Sequence, residues 1–185
     1  MNRKEALHLV TGLAGSAMLP FGLGHSASAD QWLTSFEQRW ETAVAYSLSM
    51  LEAMPEEDMM FQPIPEQKAF GLHFTHVGYW NAYYAGSISG TPPPEEPKDP
   101  DKAAIKEYVT QTSMIVTNLI RSIEGSDLHS KDHKGKELWG KHAAYWKEHT
   151  VADFLLRAYM HTTHHRGQII VYLRLKGIKP PSFQF

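Results

Sequence analysis

The sequence predicts an all-α fold, a four-helix bundle behind an N-terminal signal peptide, and three observations predict it. Apolar residues recur at helical spacing in four separate blocks, each about 20 residues long. Prolines and glycines break the chain between those blocks. No alternating strand pattern flanked by a turn dipeptide competes with them.

The elements follow in order. Residues 1–29 read as a leader: a basic start at Arg3 and Lys4, an apolar stretch from Leu9 to Leu23 interrupted by Gly and Ala, and the small-residue pattern Ala27-Ser28-Ala29 before Asp30. The expectation is an exported protein, periplasmic or secreted, whose mature domain is residues 30–185. NRKEAL is similar to a twin-arginine export signal, with Lys4 standing where the second arginine would be. The apolar stretch is short and glycine-broken, and no second run of spanning length follows, so no membrane span is expected in the mature chain.

The first helix is expected from about Gln31 to Met54, where Leu33, Phe36, Trp40, Ala43, Val44, Ser47, Leu51 and Met54 share a face until Pro55 and FQPIPEQ stop it. The second runs from about Gln67 to Ser89 and ends at Gly90, before the proline-rich TPPPEEPKDP. The third opens with Asp99 as N-cap and Pro100 at the first helical position, and carries Ile105, Val109, Thr112, Val116, Leu119 and Ile123 as far as Gly125. The fourth spans about Thr150 to Lys176, with Thr150 and Asp153 spaced as a capping box and Gly177 at the stop. SDLHSKDHKGKELWGKHAAYWKEH, between the last two, is expected to be a loop with a short helix or turn.

Composition removes several function classes. A formal charge of −2 offers no basic field for nucleic acid, and no polybasic run would hold an anionic membrane. The chain has no cysteine, which excludes disulfides, thiolate metal sites and a cysteine nucleophile; any metal must rest on the 11 histidines and the carboxylates.

The densest cluster of histidines is HTTHHRGQ, residues 161–168. A helix turns about 100° per residue, so His161 and His165 lie about 40° apart on one face, with Gln168 and Tyr172 extending the stripe, while His164 falls about 60° to the other side of His161. Two imidazoles hold zinc or nickel weakly, so a third ligand is sought on another helix. In AFGLHFTHVGYWNAYYAG, His76 shares a core-facing stripe with Leu72, Trp80 and Tyr83, and His73 sits one turn earlier and about 60° round. Position 162 is Thr, so this is not the HExxH pattern of zinc proteases. The other HxxxH, His129 to His133, lies among Lys, Asp and Ser and reads as solvated loop. Arg157, one turn before His161, is expected to reach solvent, with an anionic substrate as its other use.

HTTHHRGQIIVYLRLKGIKPP resembles the final-helix signature of the DinB-like (DinB/YfiT-like) metalloenzyme family: H-x-x-H-H-R-G-Q, an aliphatic run, a Leu-Arg step, Gly and prolines. AFGLHFTHVGYWN resembles that family's early segment, in which an aromatic residue precedes a histidine by six positions, as Phe70 precedes His76. The resemblance implies a four-helix bundle of up-down-down-up type that holds a divalent metal, Zn or Ni, through His76, His161 and His165. His73 has no counterpart in the pattern and is left as a supporting or competing residue. Relatives of this kind include thiol-dependent S-transferases and an isomerase acting with a small thiol, and they are often homodimers. Two functions are therefore expected of such a site. One is a metal-dependent transferase or hydrolase acting on a small molecule, with a low-molecular-weight thiol as co-substrate. The other is a non-catalytic, exported metal-binding or structural bundle. Trp80, Tyr83 and residues near Tyr172 are expected to wall the site, and Gln168 either to close it or to orient a histidine.

Overall fold

The computed structural model describes residues 24–184, with side chains from Ser28 onward; the basic start and apolar stretch of the expected leader lie outside the described residues. Among the described residues five α-helices follow one another: α1 (Gly24–Ala53), α2 (Phe70–Ser89), α3 (Lys102–Ser122), the single turn α4 (Ala143–Trp146) and α5 (Val151–Leu175). Short 3-10 turns occupy the connections, and the described residues contain no strand. The four long helices are the four expected blocks. None of the described helices is long and apolar enough to cross a membrane.

The contacts set the helix directions. Glu37 and Glu41 of α1 meet Arg121 near the end of α3, and Glu52 meets Lys102 and Lys106 at its start, so α1 and α3 are antiparallel. Gly71 of α2 lies against Ile105 and Gly78 against Tyr108 and Thr112, so α2 and α3 run parallel. Helix α5 runs against α2, pairing Thr162 with Asn81 and Tyr172 with Gln67, and along α1, pairing Tyr159 with Phe36 and Arg166 with Ala43. The order is up-down-down-up. The parallel step obliges the linker after Gly90 to travel the length of the bundle before α3 begins.

Helix ends depart from expectation at the starts of α1, α2 and α3 and at the end of α3: α1 is already helical at Gly24, inside the expected leader, and α2 begins at Phe70 rather than Gln67. Asp101 caps α3, its carboxylate accepting from the Ala104 N–H at 2.7 Å, whereas Asp99 takes φ 44° in the linker and Pro100 precedes the cap. The reason is tertiary. Lys102 donates its backbone N–H to Glu56 and its ammonium to the carbonyls of Glu52 and Met54, which docks the first turn of α3 on the open C-terminal end of α1. At the other end α3 stops at Ser122, before Gly125. Gly125 donates to Asp30 at 2.8 Å, and a Cβ on it would collide with Ala29 and Asp30. The Thr150–Asp153 capping box forms as spaced, and Gly177 takes φ 73° behind α5.

Two apolar clusters fill the bundle. One gathers Leu33, Phe36, Trp40, Tyr84, Trp146 and Phe154; the other gathers Met50, Met54, Phe70, Phe74, Tyr172 and Leu173. Between them the buried side chains are polar: Ser47 on α1, His73, Thr75 and Asn81 on α2, Thr112 on α3, and Thr162, His165 and Arg166 on α5. This polar layer is where the candidate site lies.

The segment ahead of α4 is tied to α2 backbone to backbone: Lys134 donates to Ile88 and Gly135 to Ser87. A Cβ on Gly86 would run into the Thr91 carbonyl, and one on Gly135 into the Gly86 carbonyl. Backbone yields poorly, so Gly86→Ala should cost about 1–3 kcal/mol of stability. Gly167, exposed within α5 with nothing near its missing Cβ, is the opposite case. Gly167→Ala should stabilise by about 0.5–1 kcal/mol. Urea denaturation of the two variants checks both signs.

Candidate metal centre

Helices α2 and α5 bring His76, His161 and His165 together. One ring nitrogen from each lies within 4.8 Å of the others, an arrangement positioned to hold a metal ion. The ring centroids are 5.2 Å (His76–His161), 5.0 Å (His76–His165) and 4.7 Å (His161–His165) apart. The Nε2 atoms of His161 and His165 are 3.1 Å apart. Two nitrogens each about 2.0–2.1 Å from a tetrahedral ion are separated by about 3.3 Å, and the His161–His165 pair already stands near that spacing. The Asn81 amide, donating to Thr162 at 2.8 Å, clasps α2 to α5 one step from the rings.

His73 faces the triad from behind. Its Nδ1 lies 2.8 Å from His165 Nδ1 and its Nε2 lies 3.1 Å from the Tyr172 hydroxyl. Tyr172 in turn donates to the Lys68 carbonyl at 2.7 Å, with Gln67 Oε1 at 2.9 Å. A carbonyl can only accept, and that gives the chain a direction. Tyr172 uses its proton on Lys68, His73 Nε2 must then donate to Tyr172, its Nδ1 accepts, and His165 Nδ1 donates. His165 Nε2 is left with a bare lone pair aimed into the triad. His73 is thus a support for His165 rather than a competitor of His76.

The rings are held neutral. Burial, followed by the neighbouring imidazoles, lowers the His165 pKa to about 3. Burial lowers His161 and His73 to about 4, helped by His76 in the first case and by Lys68 in the second. His76 is also lowered, first by burial and then by Lys68, with Glu96 of the linker opposing. Neutral imidazole is the form that ligates.

Several sequence expectations need correction. Gln168 does not reach the triad; its amide lies 2.7 Å from Nε2 of exposed His164, one turn back along α5. Tyr83 turns away and donates to the Leu138 carbonyl, while Tyr84 takes its place beside His161, with 6.2 Å between ring centroids. Trp80 does flank His76, at 6.3 Å. Tyr172 supports His73 instead of forming a wall. Arg157 is not in free solvent: its guanidinium lies 4.7 Å over Trp146 and 5.4 Å over Tyr145, and it donates to the Tyr145 hydroxyl at 2.6 Å. His133 is buried, with Nε2 2.7 Å from the His149 carbonyl and its ring against Phe154; of the HxxxH in that loop only His129 is exposed. Arg166 of the HHRGQ run, which sequence reasoning passed over, is buried over the Tyr46 ring and donates to Thr163 at 3.1 Å.

The depressed imidazole pKa values bear on stability. In the unfolded chain these histidines bind protons near their ordinary pKa of about 6.5, while in the folded, metal-free protein they stay neutral until about pH 4 or below. Their contribution is complete above about pH 6.5 and is lost as the pH falls through that window. The melting temperature of chelator-treated protein should drop between pH 6.5 and 4, and less steeply in His165→Ala. A melting temperature unchanged over that range would contradict the neutral, buried assignment.

The DinB superfamily model matches residues 36–169, more than half of the chain. Among solved structures, a DinB-like protein from Bacillus cereus superposes with a TM-score of 0.64 at 20% identity, covering 82% of this chain and 97% of that one. A DinB-like protein from Bacillus subtilis superposes with a TM-score of 0.63 at 15% identity, covering 80% and 96%. At these identities both show a shared fold. No curated protein matches the chain. With its fold and the residues matched both accounted for, the chain belongs to the DinB superfamily.

Proposed function

We propose that this protein is a divalent-metal-dependent enzyme, with Zn or Ni held by His76, His161 and His165, that transfers a small thiol to an electrophilic substrate. The observation that carries the reading is the convergence of three neutral imidazoles beside an open cleft, which His161 itself lines. Three protein ligands leave a tetrahedral ion with an exchangeable position, the pattern of catalytic rather than structural sites. The ion supplies Lewis acidity to an oxygen or sulfur donor in that position.

The chain's own residues do the rest. The Lys68–Tyr172–His73 chain holds His165 in one tautomer, and Asn81 and Thr162 hold α2 and α5 in register. Hydrolysis is the neighbouring reaction. It asks for a base to help deprotonate water, and the triad contains no carboxylate. A free thiol, with a pKa of about 8.5, needs far less help than water, which favours the thiol. With no cysteine in the chain the thiol is a co-substrate.

His76→Ala, His161→Ala and His165→Ala should each reduce bound metal sharply, and His164→Ala should leave it in place. His73→Phe should weaken metal binding by about 10–100-fold through loss of the support to His165. Metal analysis after equilibrium dialysis reads all five. With Co²⁺ in the site, added thiol should change the visible spectrum. A spectrum indifferent to thiol, azide and pH would mean a closed, structural site and a non-catalytic bundle.

Export belongs to the same proposal, on the Arg3–Lys4, apolar and Ala27-Ser28-Ala29 pattern. Cleavage before Asp30 would remove the first turn and a half of α1 and keep the Asp30 carboxylate that accepts from Gly125. N-terminal sequencing of the protein recovered from the extracytoplasmic fraction should read DQWLT; an intact Met1 terminus in the cytoplasm would refute export.

A further inference from the structure

Beside the triad is an open cleft of about 480 Å³ whose walls include Tyr84, Arg157, Met160, His161 and His164. Its lining holds one arginine and one carboxylate. Arg157 contributes a full positive charge, and among the described residues no carboxylate pairs with it. The remaining ionisable side chains are Tyr84, His149, His161, His164 and one carboxylic acid, Asp153. Asp153 is engaged elsewhere, its Oδ2 accepting from both the backbone N–H and the hydroxyl of Thr150 at 2.8 Å.

The guanidinium is held in place. It lies over the rings of Trp146, Tyr145 and Tyr84 at 4.7, 5.4 and 5.9 Å, and it donates to the Tyr145 hydroxyl. Aromatic faces cover the plane of a guanidinium and leave the N–H groups at its edge as its binding surface. An arginine fixed in this way loses little freedom on forming a forked pair with a carboxylate. It stands one helical turn from His161 on the same helix, and both residues line the cleft. Met160 and Leu156 give the mouth of the cleft an apolar lip, being 67% and 41% exposed.

We infer that this cleft is the substrate subsite, and that it selects small organic molecules bearing a carboxylate, which pairs with Arg157 while the donor atom at the other end reaches the ion at the triad. The inference rests on the metal reading above and adds to it the chemical class of the ligand. Arg157 supplies specificity; the ion supplies reactivity.

The test uses the Co²⁺-loaded full chain and three pairs of thiols matched in length. Thioglycolate, 3-mercaptopropionate and 4-mercaptobutyrate are each compared with the alcohol in which a CH₂OH replaces the carboxylate, and binding is read from the sulfur-to-cobalt absorption. At least one acid should bind about tenfold or more tighter than its alcohol. Arg157→Gln should abolish that preference at unchanged metal content and leave alcohol binding within about twofold, and Arg157→Lys should retain part of it. Equal binding of acid and alcohol in all three pairs, or a preference that survives Arg157→Gln, overturns the inference and leaves the metal reading standing.

If no thiol produces an absorption band, the open-ion reading fails instead. The subsite is then read by itself in metal-free protein, from the Arg157 Nε–H resonance in a ¹⁵N spectrum. Butanoate should shift that resonance saturably and butanol should not; a resonance unmoved by butanoate overturns the inference.

Discussion

A backbone carbonyl cannot donate a hydrogen bond, and the candidate site depends on that fact. Because the Lys68 carbonyl only accepts, every proton between it and the triad has a set place: on Tyr172, on His73 Nε2 and on His165 Nδ1. What emerges at the far end is a bare Nε2 on His165, 3.1 Å from that of His161. The Lys68 carbonyl and Gln67 Oε1, both acceptors of the Tyr172 proton, set the direction of these bonds; an N–H at His165 Nε2 would repel a cation. The loop before α2 therefore matters as much to the centre as the helix that bears the histidines.

Burial lets that arrangement persist. The triad lies in a polar layer between two apolar clusters, and the same dry surroundings that lower the imidazole pKa values make an unpaired polar atom expensive. His73 satisfies both ring nitrogens, and Asn81 meets Thr162. His161 Nδ1 is buried without a hydrogen-bond partner, although its other nitrogen faces the triad. A bundle built for stability alone would place leucine here. The cost of a layer of histidines in the core is met by the packed clusters on either side, which give the site rigid walls.

Topology decides what stands next to this layer. Parallel α2 and α3 require the chain to cross the bundle after Gly90, and the segment leading to α4 then lies along the end of α2. It leads into the turn that carries Tyr145 and Trp146 up to Arg157, so two of the three rings under the guanidinium come from a connection, and the third, Tyr84, from α2. Connections are where a shared bundle acquires its own ligand preference.

The sequence by itself determined the four long helices, the capping box of α5 and the common face of His161 and His165, because these follow from a repeat of 3.6 residues and from local capping chemistry. The final-helix run and the spacing of Phe70 to His76 also identified the family. A helical repeat specifies angles about one helix axis only. It is silent about how far α2 slides along α5, or how each is rotated towards the other, and those two quantities decided much of the remainder. They set His73 behind His165 and turned Tyr84 and not Tyr83 to the cleft, while the packing of the connection against the start of α5 buried His133. The start of α3 moved to Asp101 for a similar reason, since Lys102 found the open carbonyls of α1, a partner some 50 residues away in the chain. Arg157 was expected in solvent because a helical arginine usually extends there; only the tertiary fold could supply the rings that hold it.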